Sequence, residues 1–160
     1  MYRKISFFSI LVFWLIFSSR IAMAEDRFTD NGDGTVTDNE LGLMWAKSDN
    51  QSDIGRKDAN AWAKNKFAAT INTDYDNWRL PTLEELKSLY VADSKYKGYK
   101  SKCGFIVKVV PEIKLSCILL WTSEKSTGPK VAFNFNIGNA FAIPSYDVTG
   151  CRGLPVRSIK

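Results

Sequence analysis

The segment TDNGDGTVTDNELGLMW, residues 29–45, constrains the fold more than any other. Arg27 to Asp30 and Thr35 to Asp38 are short β-leaning stretches separated by Asn31-Gly32-Asp33-Gly34. Glycines beside Asn and Asp supply the positive φ of a tight hairpin turn. Asp38 to Gly42 reads as a second turn, and Leu43-Met44-Trp45 as a buried strand. A chain that reverses direction this often belongs in antiparallel strands.

The acidity of the same stretch raises the question of a metal. The EF-hand loop pattern can be laid on Thr29 to Glu40, with Asn31, Asp33, Gly34 and Glu40 in place, but Thr29 stands where the pattern starts with Asp. An EF-hand also needs a helix on each side, and the β-branched Thr35-Val36-Thr37 suits a strand instead. The expectation is a hairpin with no cofactor. An irregular Ca²⁺ site at Asp30, Asp33 and Asp38 stays open as the alternative.

Residues 1–24 read as a cleaved signal peptide. Arg3 and Lys4 form a positive start, Ile5 to Phe17 is an apolar run of 13 residues, and Ala22-Met23-Ala24 is a cleavage site. The run is shorter than a membrane span, and no Cys follows it for lipidation. The expected protein is therefore exported, periplasmic or extracellular, with no stable membrane span after cleavage. Residues 25–160 form one domain of ordinary length. Losing Arg3, Lys4 and Arg20 leaves 19 basic against 17 acidic residues, so the formal charge falls from +5 to +2. The basic balance of the whole chain is thus partly a targeting feature, and no nucleic-acid partner is expected.

No histidine occurs, which excludes Ser-His-Asp and Cys-His catalysis and the common zinc sites. Cys103, Cys117 and Cys151 are the cysteines. An exported protein is expected to carry a disulfide. Cys103 and Cys117 bracket a short loop and are the favoured pair, with Cys117–Cys151 the alternative. The partner of the odd cysteine is left open.

Ala59, Trp62, Ala63 and Phe67 recur at helical spacing, which predicts one helix through RKDANAWAKNKFAATI. Thr82 followed by Glu85 is a capping box behind Pro81, which predicts a second helix from about Leu83 to Val91. Strands are expected at Leu119 to Ser123, in AFAIP and in LPVRSI. In VAFNFNIG, Val131, Phe133, Phe135 and Ile137 alternate with Ala132, Asn134 and Asn136. The fold class is α+β, with two helices on one side of a twisted, mostly antiparallel sheet. Trp45, Trp62, Trp78 and Trp121 read as core.

The phrases NGDGTVTDNELGLMWAK, DNWRLPTLEELKSL, WTSE, VAFNFNIG and LPVRS, in that order, resemble the Lcl C-terminal domain family of bacterial exported domains. WRLPT is also similar to a segment of formylglycine-generating enzymes. The resemblance implies a C-type-lectin-like fold whose termini come close together. The family is named for the terminal domain of a collagen-like adhesin that binds sulfated polysaccharides, which implies an adhesin-like binding role. This chain has no Gly-X-Y repeat, so the adhesin's collagen stalk is absent from it. It also lacks the Glu-Pro-Asn and Trp-Asn-Asp triplets of calcium-dependent lectins. Arg79 and Arg157 match the family's WRLP and PVR phrases, with guanidinium-to-carbonyl bonds as their expected role.

No catalytic group stands out. Glycoside hydrolysis needs two carboxylates facing across a cleft, whereas Glu84 and Glu85 are neighbours on a helix and diverge. The suggestive segment is KYKGYKSKC. Lys95, Lys97, Lys100 and Lys102 interleave with Tyr96 and Tyr99, a pattern that draws polyanions. Lys108, Lys114, Lys125 and Lys130 extend the patch if the fold brings them near. Asn134 and Asn136 are the further candidates, because amides pair well with sugar hydroxyls. The expected function is non-enzymatic recognition of a glycan or acidic polysaccharide, with oligomeric state open. The alternatives are a structural or protein-interaction module of the cell envelope, and an enzyme with an unrecognised site.

Overall fold

The first hairpin forms where its turn residues place it. In the computed structural model, β1 (Phe28–Asp30) pairs antiparallel with β2 (Thr35–Asp38), and β2 with β3 (Leu43–Ala46). The structure describes residues 26–71, 74–125, 128–144 and 146–159; the expected signal segment 1–24 lies outside them. The last strand, β10 (Val156–Ser158), pairs with β3 and completes a four-stranded sheet in the order β1-β2-β3-β10. Both ends of the described chain approach the same turn: Asn39 N donates to Arg27 O, and Ile159 N donates to Gly42 O.

A second four-stranded sheet runs β8 (Asn139–Ile143), β7 (Lys130–Asn134), β6 (Leu119–Trp121), β9 (Cys151–Arg152). Its β6–β9 pair is parallel and its other pairs are antiparallel. A two-stranded ribbon joins β4 (Tyr99–Lys100) to β5 (Ile106–Val107). The single expected sheet is therefore divided into three. The alternation in VAFNFNIG ends at Asn134, because residues 135–138 turn into β8. Ile137 is consequently exposed and Asn136 sits in the turn, which corrects its expected place on a strand face.

Three helices are present among the described residues, against the two expected. The first predicted helix breaks at Lys66 into α1 (Arg56–Asn65) and α2 (Phe67–Thr70). The break lets Phe67 turn inward between Trp62 and Trp78, with ring centroids 5.5 and 4.7 Å away. The third, α3 (Leu83–Ser88), starts where its cap predicts and ends sooner. Thr82 Oγ1 accepts from Glu85 N, and the Glu85 carboxylate accepts from Thr82 N. Glu85 also takes a two-pronged bond from Arg79, both contacts 2.7 Å. Burial pushes the Glu85 carboxyl up, but the bonds from Arg79 and Thr82 outweigh it and hold it below the usual range.

The helices lie against both faces of the second sheet. On one face Ala59 and Ala63 of α1 pack with Trp121, Ala132 and Cys151. On the other, Leu86 and Leu89 join Leu120, Phe133 and Phe135 in the main core. Trp45, Trp78 and Trp121 are buried as expected, while Trp62 is half-buried. Burying an aromatic or branched side chain contributes about 1.5–3 kcal/mol, so these clusters supply most of the driving force. Cys103 and Cys117 form the disulfide across a sequence separation of 14, with Cα atoms 5.3 Å apart. Cys151 is the free, buried thiol.

Two outcomes follow from this architecture. Glu85→Gln should lower stability by about 1–3 kcal/mol, through loss of the cap and of the charge facing Arg79. Glu85 holds its proton less tightly folded than unfolded, so its contribution is present above the unfolded pKa and fades as pH falls through the folded value. Urea denaturation across acid pH should show the gap between wild type and variant closing in that window. Replacing both Cys103 and Cys117 by Ala should cost about 3 kcal/mol by the same measurement, from the loop-closure entropy released to the unfolded chain.

Candidate functional site

The lysine segment is held in place from several sides. Gly98 adopts φ +66°, and a Cβ there would lie 2.2 Å from Val107 O, so only glycine brings the chain this close to β5. Tyr99 Oη donates to Leu115 O at 3.1 Å and accepts from Leu115 N at 2.6 Å. Ser101 N donates to Phe105 O, Cys103 N donates to Ser116 O, and the disulfide secures the turn between them. Lys114 is placed from the other side by its own N–H, which donates to Lys47 O.

These contacts open a depression of about 190 Å³ lined by Tyr99, Lys100, Lys102 and Lys114, with Gln51 and Ser116 also in its wall. The Lys114 ammonium stands over the Tyr99 ring, 5.3 Å from its centroid. Lys102 Nζ donates to Gln51 Oε1 at 2.7 Å. Three lysines thus line one opening, and the ammonium groups of Lys102 and Lys114 are held there by Gln51 and Tyr99. Lys95 and Lys97 are exposed on the same loop but do not line it, nor do Lys108, Lys125 and Lys130. The tyrosines are used inward. Tyr96 Oη donates to Val109 O, burial pushes both phenols up, and the Tyr99 face is covered by Lys114.

The two asparagines serve the β7–β8 turn. Asn134 Oδ1 accepts from Asn136 N, and Asn136 Nδ2 donates to Ile106 O, tying that turn to the β4–β5 ribbon. The acidic hairpin is likewise internally bonded. Asp38 accepts from the Arg27 guanidinium and from Glu40 N and Leu41 N. Asp33 accepts from Thr35 N and Oγ1. Asp30 accepts from Lys47 Nζ and Gly32 N, which hold its carboxyl below the usual range. Among the described residues no group of three or more Cys, Asp or Glu side chains gathers to hold a metal ion.

Beneath the depression lies a network whose partners are too far apart in the chain to read locally. Asp49, 3% exposed, accepts from Ser116 N at 2.7 Å, from Ser116 Oγ at 2.8 Å, and from Gln51 N and Nε2 at 2.8 Å each. Arg152 Nε donates to Ser116 Oγ at 2.8 Å, and its Nη1 donates to Asp53. Burial raises the Asp49 carboxyl above its ordinary range against the opposing pull of Ser116, Gln51 and Arg152. One wall of the depression therefore rests on a fixed Ser116. Arg79 and Arg157 do bond carbonyls, of Leu80 and Asp76 respectively, but the Arg79–Glu85 pair is an addition to that expectation.

Asp49→Asn should be destabilising by about 1–3 kcal/mol near neutral pH, because its amide must turn an N–H toward donors that a carboxylate accepts. The pH dependence has the opposite sign to that of Glu85. Between the unfolded and the raised folded pKa, native Asp49 holds more protons, so stability falls as pH rises through that window. The variant lacks this term and should lose more stability than wild type on acidification across it, as read by urea midpoints at a series of pH values.

No curated protein matches the chain. The family model described as the Lcl C-terminal domain matches residues 34–157, from the glycine closing the first hairpin turn to the arginine in the last strand. The match takes in the whole second sheet, β2, β3 and most of β10 of the first, all three helices and the lysine depression, and leaves β1 outside. The chain belongs to the Lcl C-terminal domain family.

Proposed function

We propose that this domain is an exported, non-enzymatic binding module of C-type-lectin-like fold that recognises a glycan or other acidic surface polymer. One observation carries the reading: Lys100, Lys102 and Lys114 line a single open depression on a wall braced by Tyr99 and Ser116. Like charges gathered around one opening repel one another, and an anionic group seated among them relieves that repulsion. Screening sets in beyond about 8–10 Å at ordinary ionic strength, so the effect is confined to groups entering the opening. Because the loop is already fixed by the disulfide and by Tyr99, little ordering accompanies binding. Recognition runs through charge and hydrogen bonds, since Lys114 stands over the Tyr99 ring and Tyr96 does not line the depression.

The test is retention of the purified protein on immobilised heparin, with a desulfated column as reference. Wild type should be retained at low salt and released as salt rises. Replacing Lys100, Lys102 and Lys114 together by Ala should abolish most retention, whereas replacing Lys95 and Lys97 should leave most of it. Absence of wild-type retention at low salt overturns the reading and favours a protein-interaction module. Equal losses in the two variants would mean diffuse charge, not this depression.

A further inference from the structure

Among the described residues, the β8 edge differs from the other edges of the two four-stranded sheets. Sheet edges present unpaired backbone N–H and C=O groups, and proteins usually blunt them with charge, brevity or cover. The β1 edge ends in Asp30 paired with Lys47. The β10 edge is three residues long, carries Arg157 and exchanges backbone bonds with Arg79. The β9 edge is two residues long and buried. By contrast, β8 has five residues, Asn-Ala-Phe-Ala-Ile, none charged, and four of them are exposed. It pairs with β7 alone, and its central Phe141 is 41% exposed.

We infer that β8 is a self-association edge, pairing antiparallel with β8 of a second copy of this chain to join two four-stranded sheets into one of eight. An open edge is completed by another strand, and a two-fold contact demands a patch complementary to itself. A strand without charge meets that demand. The rest of the chain is net basic, so a lysine-bearing edge would repel its copy. Centring the axis on Phe141 sets Phe141 against Phe141, Ala140 against Ala142, and Asn139 against Ile143. The central pair is then a cross-strand aromatic contact, a favourable one in antiparallel sheets. Ending the pairing at Gly138 and Pro144 limits its length. Gly138 turns there because a Cβ would meet the Tyr90 ring at 2.5 Å, and Pro144 has no N–H to offer a ladder. An interface built on five residues per copy is small, so the dimer is concentration-dependent.

Sedimentation of the purified protein, free of any polysaccharide, tests this independently of the lysine depression. Wild type should move from monomer to dimer as concentration rises, and Phe141→Lys should stay monomeric, with the urea midpoint of wild type at concentrations where wild type is monomeric, because the side chain is exposed. On a Cys151→Ala background, Phe141→Cys should form a covalent dimer under mild oxidation, and Asn139→Cys, facing Ile143, should not. Monomeric wild type at every concentration overturns the inference, as does dimerisation of Phe141→Lys or equal cross-linking of the two cysteine variants. If the Cys151→Ala background fails to fold, sedimentation of wild type and Phe141→Lys decides alone. Protection of β8 amides that appears only on adding another protein would assign the edge to that partner instead.

Discussion

The structure depends on a buried carboxylate. Residues 47–55, between β3 and α1, form no regular element beyond a bridge at Ser48, yet Asp49 among them is buried. Backbone groups there must be satisfied one by one. Lys47 N reaches Gly34 O, Asn50 N reaches Gly153 O, and Ile54 N reaches Cys151 O. Gly153 N returns a bond to Asn50 Oδ1. Asp49 anchors the segment at its centre by accepting from Ser116 and Gln51. Ionisation in that setting is unfavourable, as its raised pKa reflects, and the hydrogen bonds and the Arg152 charge offset the cost. The result fastens the N-terminal meander, the disulfide loop and the C-terminal strands to one point.

That anchor also explains why the lysines can be crowded. Their loop is fixed by backbone partners, by Tyr99 and by the disulfide, none of which uses an ammonium group. Lys100, Lys102 and Lys114 are therefore brought to one depression by the geometry of the backbone around them. Gln51, which takes the Lys102 ammonium, is itself bonded to Asp49. The acid under the wall and the Lys102 cation above it thus share Gln51 as a common partner.

Legibility in the sequence followed the distance between partners. The first hairpin and α3 depend on residues a few positions apart, Asn31 to Gly34 and Thr82 with Glu85, and both stand where local chemistry puts them. The family phrases were legible for the same reason. The break at Lys66 was not, because helical spacing continues through Phe67 and only the ring contacts with Trp62 and Trp78 show why the chain turns. Alternation past Asn134 misled because Phe135 stays buried in a turn as it would in a strand. The burial of Asp49 carried no local signal, since only its turn bonds from Gln51 are near in the chain and Ser116 lies 67 positions away. Half of the lysine segment faces the depression, and its third cation, Lys114, comes from a different part of the chain.

The odd cysteine completes the picture of how the pairing is kept unique. Cys151 lies directly beside Leu119 in the parallel β6–β9 pair, two residues along from Cys117, and a Cβ on its neighbour Gly150 would sit 3.3 Å from Cys117 Sγ. A free thiol on the strand beside a disulfide invites exchange, which proceeds through the thiolate. Burial, with Asp147 and Asp53 nearby, pushes the Cys151 thiol up to about 12, so its thiolate fraction is on the order of 10⁻⁵ at neutral pH. From spacing alone, Cys117 has two plausible partners. In the fold one of them is buried and held mainly as the protonated thiol. Cys103 lies on the half-exposed turn, and the same bridge that spares Cys151 fixes the loop presenting Lys100 and Lys102.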